Sequence, residues 1–383
     1  MRELVALDLP GGPAFVDALE RTWGRGDIVL PVDQRLPSPV RRQLLASARP
    51  HAVIDATSDR TSFEPGAPLL DEGDALVVAS SGSTGTPKLV VHTHIGIAAH
   101  ARAVHQHLAV DPDVDRWLAC LPLAHLGGLG VLLRSLVTGT PVDVVPRFDA
   151  GEVASAPRRL GTTLVSLVPT ALGRLDPAPF RWVVLGGSAD PATRPANVVR
   201  TYGLTETGGG VVYDGVPLPG IDVRVDARGA IAVGGPTLAR GLRTPDGRVP
   251  PVADADGWLD TGDLGAWSTD GRLVVHGRAD DLIVTGGENV WPAAVEAALG
   301  THPAVAEVAV VGRADPDWGT VVVAVVVPAA GAEPPSLDEL RGYVRSRLPA
   351  FAAPRQLVLA DALPRTALGK LRRAGLGGPT EPQ

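Results

Sequence analysis

The stretch Leu76–Lys88, LVVASSGSTGTPK, decides how the rest of the chain is read. An apolar run, Leu76–Ala79, feeds a loop of small hydroxyl residues and glycines that closes on a lysine. Of 35 basic residues only Lys88 and Lys370 are lysine, and the other 33 are arginine. Lysine is a compact point charge with three donors, whereas arginine is a planar fork. A chain that uses arginine nearly everywhere and keeps lysine twice points to phosphate handling by both lysines. Ser81, Ser83 and Thr84 offer hydroxyls, and Gly82 and Gly85 let backbone N–H groups approach an anion. A Walker loop would need G-x-x-x-x-G-K-[ST]. Here Gly82 lies six residues before Lys88, and Leu89 follows it. A generic Ser/Gly stretch would be a surface turn between strands, and the whole string SSGSTGTPK is far more specific than that.

Composition narrows the classes. A length of 383 residues suggests two or three domains with room for a sizeable core. A hydrophobic content of 45% with 20% charged residues is that of a globular chain. The net charge of −7 argues against a nucleic-acid partner. The single cysteine, Cys120, excludes a disulfide within the chain and suits a reducing compartment. It lies in the apolar run Trp117–Leu123 and reads as an inert core residue. The N-terminus MRELVALDLP has no signal-peptide core, and Val321–Val327 is too short to span a membrane. The expectation is a cytoplasmic protein without a membrane segment.

Working outward, residues 1–70 carry a helix near Pro13–Thr22, strands at Ile28–Leu30 and Ala52–Ile54, and a second helix from Ser38–Pro39. After the loop come a strand, Val90–His94, and a helix, Ile95–Leu108. In PLAHLGGLGVLLRSL, Gly127, Gly128 and Gly130 precede an apolar helix over Val131–Leu136. Val142–Val145, Thr163–Leu167 and Trp182–Leu185 are short β-branched runs alternating with helix-like segments, the mark of a buried, mostly parallel sheet. The third ends in Gly186–Ala189, GGSA, where ligands of such sheets gather. Asp222–Val233 and Arg272–Gly277 alternate as strands of a small β-rich subdomain. From Ile283 the character changes: a helix at Pro292–Leu299, strands at Val308–Val311 and Val321–Val327, and a capping box Ser336/Glu339 before Leu337, Leu340, Val344 and Leu348 on one helix face. The fold expected is α/β, with a large N-terminal domain (1–278), a small α+β C-terminal domain (279–376) and a disordered tail (377–383).

Further motifs carry chemistry. In TYGLTETGGG, Thr201–Gly210, Tyr202, next to Gly203, gives a flat face, Thr205 a hydroxyl, and Glu206 a hard oxygen suited to Mg²⁺. Gly208 and Gly209 leave room for a flat ring. In GWLDTGDLG, Asp263 is placed in a tight loop, where its carboxylate suits two vicinal hydroxyls. GRADDLIVTGGENV contributes Arg278, Asp280, Gly286, Gly287 and Glu288, and PRTALGKLRR contributes Lys370.

These strings together resemble the adenylate-forming enzymes: acyl-CoA synthetases, luciferases and peptide-synthetase adenylation domains. Six motifs appear in the family's order between residues 76 and 375. One departure is Leu89, where the family usually has glycine. The resemblance implies ATP, Mg²⁺ and CoA as ligands and a small carboxylic acid as substrate. It implies that Ser81–Gly85 and Lys88 hold phosphate, that Gly186, Gly187, Ser188 and Ala189 form the strand along the adenine edge, and that Tyr202 stacks on adenine beside Gly203. Thr205 would contact the α-phosphate, Glu206 the magnesium, and Asp263 and Arg278 the ribose. Asp280 falls at the family's hinge, Gly286, Gly287 and Glu288 on its pantetheine path, and Lys370 at its catalytic lysine, carried by a mobile C-terminal domain. A cation there would stabilise charge that builds on the phosphoryl and carboxyl oxygens.

Within the family, short chains with PLAHLGGLGVLLRSL and ETGGGVVYDGVPLPG resemble the actinobacterial-type o-succinylbenzoate–CoA ligases of menaquinone synthesis. His125 matches the residue gating the acyl site, and Arg134 could pair with a second carboxylate or lie on a helix surface. The usual ligase string carries a cysteine around Gly209–Val211, which this chain lacks. Activation of another aryl or fatty acid, and a non-catalytic nucleotide-binding protein, are the alternatives. Retention of Lys370, Glu206 and Asp263 speaks against the second. An amino-acid adenylation domain lacks a clear aspartate near His125, and a Rossmann dehydrogenase lacks an N-terminal G-x-G-x-x-G. The oligomeric state, a homodimer included, is left open by the sequence.

Overall fold

The computed structural model describes residues 2–56, 60–80, 87–187, 194–365, 371–373 and 375–376. Ser81–Gly85, Ser188, Ala189, Lys370 and the tail 377–383 lie outside them. The chain divides into two compact units, 1–224 with 232–261 and 269–273, and 225–231 with 262–268 and 274–383.

The first unit holds two seven-stranded sheets. In the first, the order is Gly241–Arg243, Lys88–Thr93, Asp74–Ser80, Ile28–Pro31, Leu4–Asp8, Ala52–Asp55, Thr61–Ser62. The middle strands run parallel, with Leu4 opposite Ile28 and Val29 opposite Leu76. Leu4, Val5, Ala6 and Leu7 are all fully buried, because a parallel strand has helices or other strands over both faces. Each such leucine or valine stabilises the fold by about 1.5–3 kcal/mol. The helices Pro13–Gly24 and Ser38–Ala48 both open with proline in the first turn, as expected.

The second sheet runs Val216–Pro217, Gly209–Tyr213, Val198–Leu204, Trp182–Leu185, Leu164–Leu167, Trp117–Ala119, Val142–Val144. Its parallel core contains the three β-branched runs read from sequence. Two helices, His94–Leu108 and Leu126–Thr138, accompany it. The second helix starts five residues earlier than expected, so Gly127, Gly128 and Gly130 lie inside it. Close approach explains this: a Cβ on Gly128 would sit 2.3 Å from the Leu121 carbonyl oxygen.

A four-stranded sheet follows, Asp222–Val225, Ala230–Gly234, Trp258–Trp267 and Leu273–Arg278. Asp263 lies within its ten-residue strand, not in a tight loop. The strand buries Leu259, Thr261, Asp263 and Gly265 in alternation, so period-two burial outweighs the turn signal of Gly262.

The second unit contains a three-stranded sheet of Val305–Asp315, Gly319–Pro328 and Gln356–Leu359, with the helices Pro292–Leu299 and Leu337–Arg345. Val322, Ala324 and Val326 enter one core with Leu340 and Val344, and Val321, Val323 and Val325 enter another with Leu363. Burial on both faces accounts for the apolar run. Ser336 accepts from Glu339 N at 3.2 Å, satisfying a free helix donor. No helix among the described residues is long and apolar enough to cross a membrane.

Candidate active site

The motif at Thr201–Gly210 folds as strand, single turn and strand. Val198–Leu204 pairs antiparallel with Gly209–Tyr213, and the register slips between Tyr202 and Gly203. A Cβ on Gly203 would lie 1.9 Å from the Gly209 carbonyl oxygen, so only glycine allows this crossing. Thr205–Thr207 forms one 3₁₀ turn, closed by Gly208 at φ 80°. Thr207 Oγ1 accepts from Leu204 N at 2.8 Å and lies 2.7 Å from the Gly209 carbonyl. Buried Thr207 therefore fixes the turn that carries Thr205 and Glu206, both only partly buried. Gly186 and Gly187 follow the strand Trp182–Leu185 at its C-terminal end, and Thr201 donates to the Leu185 carbonyl at 3.2 Å. Ser80 pairs with Lys88 across the first sheet. Lys88 is exposed there.

Beside this turn lies a small pocket. His92, Gly96 and His100 line it, together with Leu126, Arg134 and Gly208. Arg134 is buried, 5% exposed, which rules out the helix-surface reading. Its guanidinium lies 4.8 Å from the Trp117 ring centroid. Nε and Nη1 have no hydrogen-bond partner among the described residues. Desolvation holds its pKa below the ordinary value, against a smaller opposing effect of Tyr213. No ion pair to a carboxylate offsets its burial among the described residues, and burying a cation in that way is costly.

Two histidines that the motifs did not single out share the pocket. His100 Nε2 lies 2.9 Å from the Gly210 carbonyl, and burial brings its pKa to about 4, with Arg134 adding repulsion. Burial likewise lowers His92 to about 4, and its Nε2 has no partner among the described residues. Both rings are neutral near pH 7, leaving Arg134 as the charge. The available signal was density: five of nine histidines fall between residues 92 and 107.

His125 stands at the N-cap of the Leu126–Thr138 helix, and its Nε2 lies 2.9 Å from Asp33 Oδ2. Asp33 is 4% exposed and takes three more bonds from Arg35, from backbone N at 3.0 Å, Nε at 2.9 Å and Nη2 at 2.8 Å. Asp33 and Arg35 were also missed, because LPVDQRLPSPVRRQLL reads only as a strand followed by a helix.

In the second unit, Arg278 Nη1 donates to buried Asp263 Oδ1 at 3.3 Å. Asp280 sits in the short 3₁₀ turn Ala279–Asp281. Gly286 and Gly287, at φ 57° and 85°, make the two-residue turn between Ile283–Thr285 and Glu288–Val290, and Glu288 is exposed. Cys120 is buried, and burial pushes its thiol up to about 12, as an inert core residue requires. Among the described residues no group of three or more His, Cys, Asp or Glu is placed to hold a metal.

The AMP-binding enzyme family model matches residues 2–242, and the AMP-binding enzyme C-terminal domain model matches residues 294–370. The chain belongs to the AMP-binding enzyme family. It is 45% identical over 332 residues to a probable 2-succinylbenzoate–CoA ligase of Mycobacterium tuberculosis, covering 80% of this chain and 85% of that one. It is 35% identical over 345 residues to the 2-succinylbenzoate–CoA ligase of Bacillus velezensis, covering 81% and 70%. Among solved structures it is similar to the o-succinylbenzoate CoA synthetase of Bacillus subtilis in complex with the acyl-adenylate intermediate. There the TM-score is 0.85 at 27% identity, covering 100% of this chain and 89% of that one. The same enzyme with ATP and magnesium ion gives a TM-score of 0.84, covering 98% and 89%.

Proposed function

We propose that this chain joins o-succinylbenzoate to CoA in menaquinone biosynthesis. A carboxylate of the acid attacks the α-phosphorus of ATP, giving the acyl-adenylate and pyrophosphate. The CoA thiol then attacks the acyl carbon, giving the thioester and AMP. The observation that carries the substrate reading is Arg134, a buried guanidinium whose Nε and Nη1 have no partner among the described residues, lining a pocket beside Gly208. A dicarboxylate has a second carboxylate to give it, whereas a fatty acid or benzoate would leave it unpaired.

The remaining residues take roles by kinship and chemistry. Lys88, with Ser81–Gly85, binds the phosphates, and Gly186–Ala189 with Tyr202 and Gly203 holds the adenine. Asp263, steadied by Arg278, accepts from the ribose hydroxyls. Thr205 donates to the α-phosphate. Glu206 offers one carboxylate, which suits Mg²⁺ because that ion keeps water and phosphate oxygens as its other ligands. The bound ion would neutralise phosphate charge. Lys370 stabilises charge on the bridging oxygens in the first step. Gly208 and Gly209 shape the ring site and His125 borders it. Gly286, Gly287 and Glu288 line the approach of CoA, and Asp280 is the hinge between the domains 1–278 and 279–376. A cytoplasmic location follows from these soluble substrates.

The test is direct. Purified chain, o-succinylbenzoate, ATP, Mg²⁺ and CoA are incubated, and AMP and the thioester are followed together. Stoichiometric AMP and o-succinylbenzoyl-CoA, both lost in Lys370→Ala, are expected. Absence of the thioester from wild type, with AMP formed from another acid, overturns the substrate reading.

A further inference from the structure

Asp33 and Arg35 have no place in the motifs read from sequence, yet with His125 they form a triad built as a functional support would be. Asp33 follows the strand Ile28–Pro31. That strand pairs in parallel with Asp74–Ser80 through Val29 and Leu76. Four residues beyond that pair, the two chains reach Asp33 and Ser80 at the same end of the sheet, where the phosphate-loop stretch begins. Both Asp33 carboxylate oxygens are occupied, Oδ1 by the Arg35 backbone N and Nε, and Oδ2 by Arg35 Nη2 and His125 Nε2. A carboxylate that is 4% exposed and receives four donors cannot turn without breaking several bonds at once. These hydrogen bonds hold its pKa far below the usual carboxylate range against the opposing effect of burial, so it accepts at every working pH. An acceptor fixed at Nε2 keeps the proton of a neutral imidazole on that nitrogen and leaves Nδ1 as the bare lone pair.

We propose that Asp33, clamped by Arg35, is a positioning residue. It fixes the rotamer and the Nε2–H tautomer of His125, so that the imidazole presents a constant edge at the start of the Leu126–Thr138 helix. Its effect on catalysis rests on the reading of His125 as bordering the acid. Asp33 itself touches neither substrate nor nucleotide.

Two measurements test this. In ligand-free wild type labelled with ¹⁵N-histidine, at a pH where the imidazole is neutral, the His125 resonance is assigned by its loss in His125→Ala. The Nε2–H tautomer is expected, and a dominant Nδ1–H tautomer overturns the proposal. The second is a double-mutant cycle of Asp33→Asn and His125→Ala. Asp33→Asn should lower kcat/KM for the acid about tenfold or more, leave KM for ATP unchanged, and add nothing in the His125→Ala background. Additive losses, or an equal change in KM for ATP, overturn it. Arg35→Gln is the second handle if Asp33→Asn does not fold, since its side chain is 46% exposed. It should show the same non-additivity, and additive losses there overturn the proposal equally. If wild type turns over no acid, the ligase reading fails and the tautomer measurement alone decides this one.

Discussion

Replacing Arg134 with methionine separates stability from function. The guanidinium is 5% exposed, and two of its nitrogens lack partners among the described residues. Replacing buried charge by an apolar side chain of similar length is worth about 1–4 kcal/mol where packing is kept. Against this stands the lost cation–π contact with Trp117 at 4.8 Å, worth about 1 kcal/mol. The net expectation is a gain of up to about 3 kcal/mol, or a rise in Tm of up to about 6 °C in the ligand-free protein. Function moves the other way. Loss of a charge-assisted pair with the second carboxylate should cost about 2–4 kcal/mol, a fall in kcat/KM for o-succinylbenzoate of about 30- to 1000-fold. Activity toward benzoate should change little, because benzoate has no second carboxylate. Thermal unfolding without ligand, alongside kcat/KM for both acids, measures each part. A destabilised Arg134→Met protein that turns over o-succinylbenzoate normally refutes the reasoning, since the arginine would then be structural.

Other outcomes follow from the same geometry. His92, His100 and His105 have folded pKa values of about 4 against 6.5 for an ordinary histidine. Between these values the unfolded chain binds protons that the folded chain refuses, so stability is full above pH 6.5 and falls as pH drops toward 4, by on the order of 3 kcal/mol per ring. Denaturant titrations from pH 7.5 to 4 should show this loss, partly relieved in His100→Gln. Cys120, its thiol raised to about 12, should resist iodoacetamide at pH 8 until the protein is unfolded. Gly203→Ala would place a Cβ 1.9 Å from the Gly209 carbonyl oxygen, so it should displace the turn bearing Thr205 and Glu206 and abolish adenylate formation, read by pyrophosphate release.

Much of the fold was legible because its signals are local. Prolines mark the starts of Pro13–Gly24, Ser38–Ala48 and Pro292–Leu299, and β-branched runs mark the parallel strands. What was misread depends on distant partners. Asp263 is flanked by glycine and looks like a turn residue, yet pairing with neighbouring strands draws it into a ten-residue strand. The direction of Arg134 could not be read from a run apolar on every side, and burial is set by the helix His94–Leu108 against which it packs. Asp33 and His125 lie 92 residues apart, and nothing in VDQR announces the bond between them. The candidate-site motifs are contiguous strings that the sequence shows directly, whereas contacts assembled from side chains of separate elements were hidden in it.

The most direct test of the central claim is the ratio of kcat/KM for o-succinylbenzoate to that for benzoate and a medium-chain fatty acid, measured by CoA-dependent AMP release. The account requires a preference for the dicarboxylate of about 30-fold or more, the size of one charge-assisted pair. Equal or better turnover of either monoacid would contradict it, leaving the adenylating chemistry in place and removing the role assigned to Arg134.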